Sequence, residues 1–168
     1  IYGLQDTDLI ASAGERFSIP PLELEDILNT DQRPKVSETG DILTFFLKVI
    51  EYRKEFELIT VDQISIILGK NFVVTFQEKI AGYFEPVRER IRSNRGRLRQ
   101  SGADYLAYIL IDTLVDGYIH SIENMGFIME SMEDEVLHQT KRETLEKIYR
   151  SKTNIGLIRK SIWPLKEM

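Results

Sequence analysis

Two long, mostly apolar runs in the middle of the chain place the strongest constraint on its fold, and within the second of them residues 64–68 are almost continuously apolar. Residues 42–52 and 56–68 are long enough for strands, and the charged residues 53–55 separate them. A third run, residues 72–77, follows the glycine-containing turn of residues 69–71, so successive runs are expected to pair as antiparallel hairpins. Strands that are apolar on successive residues are usually covered on both faces. We therefore expect an α/β fold, an α/β/α sandwich with a mixed, largely antiparallel sheet.

Helical patterns flank these strands on both sides. The end signals and apolar spacing predict helices over residues 7–17, 22–29, 83–94, 102–137 and 140–168. Residues 37–40 are expected to form a turn before the first long strand. The last two helices should form a long C-terminal helical hairpin, with a kink at Trp163 and Pro164.

Each of the last two helices carries apolar residues at steps of mostly three and four, which predicts the face that it buries. In the first of them these residues are Tyr105, Ile109, Leu110, Leu114, Tyr118, Ile122, Met125, Met129 and Met132. In the second they are Leu145, Ile148, Ile155, Ile158 and Ile162.

Size and composition narrow the classes of protein to which the chain can belong. With 168 residues it can bury one sizeable core, so we expect a single domain, with a sandwich portion in residues 1–100 and long helices in residues 102–168. A net charge of −5 argues against a nucleic-acid partner. The absence of cysteine and the presence of two histidines argue against thiolate and histidine-rich metal sites. No run approaches the roughly 18 to 20 apolar residues of a membrane-spanning helix.

Carboxylates cluster in residues 21–36, where they are interleaved with apolar positions. Leu24 and Ile27 can anchor a short helix to a core and hold Glu25 and Asp26 at its surface. Adjacent carboxylates repel one another, and a divalent cation is one way to relieve that repulsion. The pattern alone leaves open a solvated acidic helix and a metal site.

A second pair of carboxylates lies on the first long helix. Asp112 and Asp116 are four residues apart and therefore share a face, where like charges cost roughly 0.2–0.5 kcal/mol. Mg²⁺ and Ca²⁺ take oxygen ligands and need neither histidine nor cysteine, which matches this composition. A basic neighbour would offset the repulsion as well, so this pair also leaves both interpretations open.

Six arginines lie close together within residues 88–99, a density that is also found in phosphate-binding surfaces. The run lacks interleaved aromatic residues and has Glu85 and Glu89 within or beside it, which favours a solvated or ion-paired helix over a nucleic-acid surface. No phosphate-binding loop, nucleophile elbow or catalytic triad is visible elsewhere, so we do not expect an enzyme.

Several segments together resemble one known family. Residues 21–36 read PLELEDILNTDQRPKV and resemble the P-L-x-L-E-D-I-L-N-x-x-Q-R-P-K-V segment of the CorA family of magnesium transporters. Residues 63–78 resemble the paired strands of that family, residues 84–92 and 103–116 its next two helices, and residues 162–167 the start of its long stalk helix. These segments follow the family's order over nearly the whole chain.

The resemblance implies a cytoplasmic, cation-sensing domain of a CorA-like magnesium and cobalt channel. It implies that Asp26, Glu25 and Asp112 lie near a boundary between identical subunits of a homopentamer and bind Mg²⁺, with Co²⁺ as a substitute. It also implies that the domain lies on the cytoplasmic side of the inner membrane. In the full-length protein it would be attached to a membrane segment with a pore motif, neither of which is in this chain. Because the ion-selecting part is absent, a zinc-transporting relative and a free-standing soluble metal-binding or scaffold protein stay open as alternatives.

Overall fold

The elements of the structure follow the predicted order, with one additional strand before the three predicted strands. The computed structural model describes residues 1–94, 96–138 and 142–167. Along the chain the elements are α1 (Thr7–Phe17), α2 (Pro21–Leu28), β1 (Lys35–Thr39), β2 (Ile42–Arg53), β3 (Leu58–Gly69), β4 (Phe72–Gln77), α3 (Glu85–Arg92), α4 (Ala103–His138), α5 (Arg142–Ile162) and a 3₁₀ helix (Trp163–Glu167). The connection between α4 and α5, predicted within residues 137–139, lies partly outside the described residues.

The sheet is an antiparallel meander in the order β1-β2-β3-β4. Beside β4, Tyr2 forms a parallel bridge with Gln77, so the sheet is mixed but largely antiparallel. The predicted α/β fold is thereby confirmed. One local expectation is wrong, because residues 37–39 belong to β1 and the turn narrows to Gly40 and Asp41. Gly40 has a φ of 61°, the left-handed conformation that a two-residue hairpin turn requires.

The two faces of the sheet bury separate apolar clusters. Consecutive residues of a strand point to opposite faces, and Ile66 and Ile67 are both fully buried. Ile67 lies in the cluster that α1 and α2 cover, together with Ile27 of α2. Ile66 lies in the larger cluster that α3, α4 and α5 cover, together with Leu114 of α4. The sheet is therefore the middle layer of a sandwich, as its apolar runs predict.

Helix α4 buries most of the stripe that its spacing predicts. Ile109, Leu110, Leu114, Tyr118, Met125 and Met132 are buried, whereas Ile122 and Met129 are about half exposed. Among the described residues, no helix combines the length and the apolar character needed to cross a bilayer.

Helix α5 buries only part of the predicted stripe, since Ile158 and Ile162 are partly buried and pack against the larger apolar cluster. Leu145, Ile148 and Ile155 are exposed. The buried positions hold small or polar side chains, namely Thr144, Ser151, Asn154 and Ser161. Small side chains allow α5 to approach its neighbours closely. The buried Asn154 forms hydrogen bonds with the β2–β3 connection and with the start of β3. Its Nδ2 donates to the Glu57 carbonyl oxygen at 3.0 Å, and its Oδ1 accepts from the Ile59 amide at 3.1 Å.

The end of α5 also differs from the prediction of a helix through residue 168. The α-helix ends at Ile162 and continues as the 3₁₀ helix, which contains Pro164. Proline has no amide hydrogen to donate to the carbonyl one turn earlier, so the α-helical pattern stops there. The kink expected at Trp163 and Pro164 therefore takes the form of a change of helix type.

Helix α3 carries the first part of the arginine run. Arg88 and Arg92 are both paired with Glu85, at 3.2 Å and 2.6 Å between nitrogen and oxygen. Arg88 also lies over the Tyr2 ring, 5.0 Å from its centroid. The ion-paired interpretation is confirmed for these two arginines, and Arg95 lies outside the described residues.

Candidate functional site

Helix α2 carries the first candidate carboxylates and depends on the sheet for its position. It has 8 residues, begins at Pro21 and has no side-chain hydrogen bond at its N-cap. Helices this short are unstable in isolation, so tertiary contacts must hold it. Ile27 is fully buried against the sheet and Leu24 is partly buried beside it. This apolar side fixes the directions in which Glu23 and Asp26 can point.

Both of these carboxylates meet β1. Lys35, Ser37 and Thr39 alternate along β1 and so share one face of the strand. Lys35 Nζ lies 2.7 Å from Asp26 Oδ2. The hydroxyls of Ser37 and Thr39 donate to Glu23 Oε1 at 2.5 Å and 3.0 Å. We call these five residues the α2–β1 seam, because they join the helix to the strand through polar contacts alone.

Side-chain amides fix the backbone at the C-terminal end of α2. Gln63 of β3 is 1% exposed, and its Nε2 donates to the carbonyl oxygens of Ile27 at 3.0 Å and Asp26 at 3.4 Å. Gln32 Nε2 also donates to the Asp26 carbonyl oxygen. The Asp26 backbone is thus tied to the sheet while its side chain remains 32% exposed. The backbone of Asp26 is therefore held in place, whereas its carboxylate group is accessible to solvent.

The other predicted carboxylates are exposed and make fewer contacts. Glu25 lies next to Asp26 on the outer side of α2, and Asp112 and Asp116 lie on the exposed side of α4. None of these three forms an ion pair or a hydrogen bond through its carboxylate with another described residue. They are carboxylates that solvent or an external cation can reach.

The fold brings Glu25 and Asp26 together but does not bring Asp112 to them. Helix α2 packs on one face of the sheet through Ile27, and α4 packs on the opposite face through Leu114. Within the described ranges, no group of three or more acidic or histidine side chains is arranged to hold a metal ion. A site that combines the carboxylates of α2 with that of α4 therefore requires two copies of the chain.

Four of the five members of the seam, all except Asp26, are absent from the sequence-based candidates. Glu23 is 4% exposed and forms part of the packing of α2, although its position beside Glu25 and Asp26 suggests another surface carboxylate. The pairing of Lys35 with Asp26 is a second contact that the sequence analysis does not predict. The alternation of Lys35, Ser37 and Thr39 is typical of one face of a strand and indicates both contacts. The sequence analysis instead assigns residues 37–40 to a turn, which does not predict them.

Comparison with known proteins places the chain in a family. A family model described as CorA-like Mg2+ transporter protein matches residues 4–168. The chain belongs to this family. The resemblance of residues 21–36 and the segments after them is therefore confirmed. The family match covers every element of the structure, including the α2–β1 seam and both long helices.

Comparisons with individual proteins support the assignment of the chain to this family. It is 46% identical to the cobalt/magnesium transport protein CorA of Thermotoga maritima over 168 residues, which are 100% of this chain and 48% of that protein. Its fold matches the soluble domain of CorA from Methanocaldococcus jannaschii with a TM-score of 0.80 at 19% identity, over 96% of this chain and 64% of that one. It also matches the ZntB cytoplasmic domain from Vibrio parahaemolyticus with a TM-score of 0.74 at 14% identity, over 96% of this chain and 63% of that one. The chain thus spans about half the length of the Thermotoga protein.

Proposed function

We propose that this CorA-like chain is the regulatory domain of a magnesium transporter and senses Mg²⁺ at boundaries between identical subunits. Asp26 is the main ligand, with Glu25 and Asp112 contributing and Co²⁺ able to replace Mg²⁺. The 46% identity to a protein named cobalt/magnesium transport protein supports the choice of ions. In this proposal the membrane and pore segments belong to sequence outside these residues, and the domain faces the cytoplasm.

The observation that carries the proposal is the way Asp26 is held. Its backbone carbonyl accepts hydrogen bonds from Gln63 and Gln32, so the residue cannot move freely. Its carboxylate is partly exposed, and its partner Lys35 is 43% exposed on the same side. A fixed carboxylate with an exchangeable cationic partner is suited to bind an external cation without rearrangement of the fold.

The positions of the carboxylates favour a site between subunits. Asp26 and Glu25 lie on α2 and Asp112 lies on α4, on opposite sides of the sheet. A ring of identical chains places the α2 side of one subunit against another surface of its neighbour. We therefore infer that each boundary between identical subunits collects carboxylates from two chains, and the resemblance to the CorA family implies that these subunits form a homopentamer.

The electrostatics of such a boundary suggest the mechanism. Without a cation the facing carboxylates repel one another, and a bridging Mg²⁺ converts that repulsion into attraction. Because Mg²⁺ then binds the closed ring more tightly than an open one, its occupancy shifts the equilibrium toward the closed state. Transport of Mg²⁺ into the cell would in this way reduce further transport.

The donor atoms favour Mg²⁺ over zinc for this role. The chain contains no cysteine, and two histidines occur in its sequence. Zinc sites in proteins mostly use sulfur and nitrogen ligands, whereas Mg²⁺ takes carboxylate oxygens and water. The candidate residues Asp26, Glu25 and Asp112 offer oxygen alone.

The test compares Asp26→Asn with Asp41→Asn in the full-length transporter. Both changes remove one carboxylate charge, and Asp41 is exposed in the β1–β2 turn, at the opposite end of β1 from Lys35, the partner of Asp26. We expect Mg²⁺ to raise the melting temperature of the unaltered protein, since a ligand of the folded assembly stabilises it. Asp26→Asn should shift that response to higher Mg²⁺ concentrations and weaken Mg²⁺-dependent closure in flux measurements, while Asp41→Asn should not. An equal response in all three proteins would show that Asp26 belongs to a solvated surface.

A further inference from the structure

A concave pocket that is lined by none of the candidate carboxylates has the character of an anion site. It has a volume of about 550 Å³ and lies between the loop of residues 30–34, the sheet, and the end of α5 with the 3₁₀ helix. Ligand pockets for small molecules commonly have volumes of roughly 300–1,000 Å³, so this one is large enough for a metabolite. It combines parts of the chain that are far apart in sequence.

Positive charge dominates the lining of this pocket. Arg33, Lys48, Arg159 and Lys160 line it, and Asp31 is the acidic residue among the lining residues. Arg33, Arg159 and Lys160 form no ion pair with any described residue. A cluster of unpaired cations stands out in a chain whose net charge is −5.

Lys48 brings a partly desolvated ammonium group to the same place. Its Nζ donates to the Thr30 carbonyl oxygen at 2.5 Å and to Gln63 Oε1 at 3.2 Å, which leaves one of its three hydrogens for another acceptor. Burial lowers the pKa of Lys48, and the negative charges of Glu78 and Asp31 oppose that effect only in part. An anion in the pocket would stabilise the charged form of this side chain.

The chemistry of these groups identifies the class of ligand. Like charges around a concave surface repel one another, and the cleft concentrates their field on whatever occupies it. Arginine and lysine bind phosphate oxygens through charge-assisted hydrogen bonds, and several oxygens on one group can engage several cations. We propose that this pocket binds the phosphate groups of a small molecule. The proposal stands apart from cation sensing at Asp26, because it uses other residues and a ligand of opposite charge.

Two sources of phosphate fit the pocket, and one residue distinguishes them. Trp163 lines the pocket and is 65% exposed, so its ring is free to stack with a nucleotide base. An inorganic polyphosphate would bind the cationic side chains but has no base to stack on the indole ring of Trp163. The contribution of Trp163 therefore separates a nucleotide from a free phosphate chain.

The experiment measures binding of ATP and of inorganic tripolyphosphate to the full-length protein in buffer with EDTA, by calorimetry and by melting temperature. EDTA removes divalent cations, so a failure of Mg²⁺ sensing cannot affect the result. We expect both ligands to bind and Arg159→Ala with Lys160→Ala to weaken both by about tenfold, the loss of two charge-assisted contacts. The control is Lys70→Ala with Arg90→Ala, which removes the same charge from two exposed positions that do not line the pocket.

The outcomes are distinct. If Trp163→Ala weakens ATP but not tripolyphosphate, the ligand is a nucleotide, and if it changes neither, the ligand is an inorganic phosphate chain. Absence of binding by both ligands, or an equal loss in the control protein, overturns the proposal. Lys160→Gln alone provides a milder second variant, because Lys160 is exposed and its replacement leaves the packing of α5 intact.

Discussion

The two faces of the central sheet carry helices of very different length and hold them in different ways. On one face α2 has 8 residues and is joined to β1 by the seam, in which Glu23 and Asp26 contact Lys35, Ser37 and Thr39. On the other face α4 has 36 residues and packs through a row of buried apolar side chains. The α2 face adds polar contacts to its apolar cluster, whereas the α4 face buries the larger apolar cluster.

This difference shows where a change of charge can affect the fold. A short helix keeps its place only through its contacts with the sheet, so a cation that competes for Asp26 acts on a contact that helps to hold α2. Asp112 lies on a long helix whose packing does not involve its carboxylate. We expect charge substitutions to matter mostly on the α2 face and volume substitutions to matter mostly on the α4 face.

The largest effect is expected from Leu114→Ala on the α4 face. Leu114 is 4% exposed, and its truncation should lower the free energy of unfolding by about 2–5 kcal/mol through lost burial and a residual cavity. The neighbouring Val115 is 41% exposed, so Val115→Ala should change that free energy by less than about 0.5 kcal/mol. Chemical denaturation without divalent cations measures both. If the two variants lose the same stability, α4 is not held by the apolar row described here.

A smaller effect is expected from Glu23→Ala on the α2 face. This change removes the acceptor shared by the partly buried Ser37 hydroxyl and the exposed Thr39 hydroxyl, and should lower the free energy of unfolding by about 0.5–1.5 kcal/mol in the same measurement. Glu23→Gln keeps an oxygen acceptor of the same shape and should recover much of the loss. Glu25→Ala removes an exposed carboxylate two residues away and should be nearly neutral. A loss for Glu23→Ala as large as that for Leu114→Ala would contradict the division between the two faces.

The features that the sequence predicted well are those set by local pattern. The apolar runs around residues 42–68 predict β2 and β3, because a strand that is buried on both faces needs apolar side chains at most of its positions. The acidic segment predicts α2 because its apolar residues recur at helical spacing and Pro21 suits a first turn. Asp26 and Glu25 were placed correctly at the surface of that helix.

The features that the sequence did not predict depend on tertiary contacts between elements that are far apart along the chain. The apolar stripe of α5 suggested a buried face with Leu145, but the helix instead turns Ser151 and Asn154 inward. Small and polar residues give no periodic hydrophobic signal, and the partner of Asn154 is a backbone carbonyl in the β2–β3 connection, far away along the chain. The burial of Glu23 is of the same kind, because its partners lie on a strand that the pattern assigned to a turn.

The smallest effect, and the most specific one for the α2 face, is expected from Lys35→Met. The Lys35 ammonium lies 2.7 Å from Asp26 Oδ2 and 5.1 Å from the centroid of the Phe46 ring, so methionine keeps the apolar contact while removing the charge. A partly exposed ion pair contributes about 0.2–1 kcal/mol, so the stability of the protein without Mg²⁺ should change by no more than that. If Mg²⁺ must displace this ammonium to reach Asp26, the wild-type protein loses the ion pair when Mg²⁺ binds. Lys35→Met has no such ion pair to lose, so its dissociation constant for Mg²⁺ should be lower by up to about fivefold.

The control for Lys35→Met is Lys70→Met, since Lys70 is exposed in the β3–β4 turn and its loss changes the net charge equally. A titration of melting temperature with Mg²⁺ in the full-length transporter should show a lower midpoint for Lys35→Met alone. The same shift in both variants would mean that Mg²⁺ responds to overall charge and not to the Asp26 pair. A higher midpoint for Lys35→Met would mean that Lys35 supports the binding-competent position of α2, and the ammonium would then be a positioning group and not a competitor of the cation.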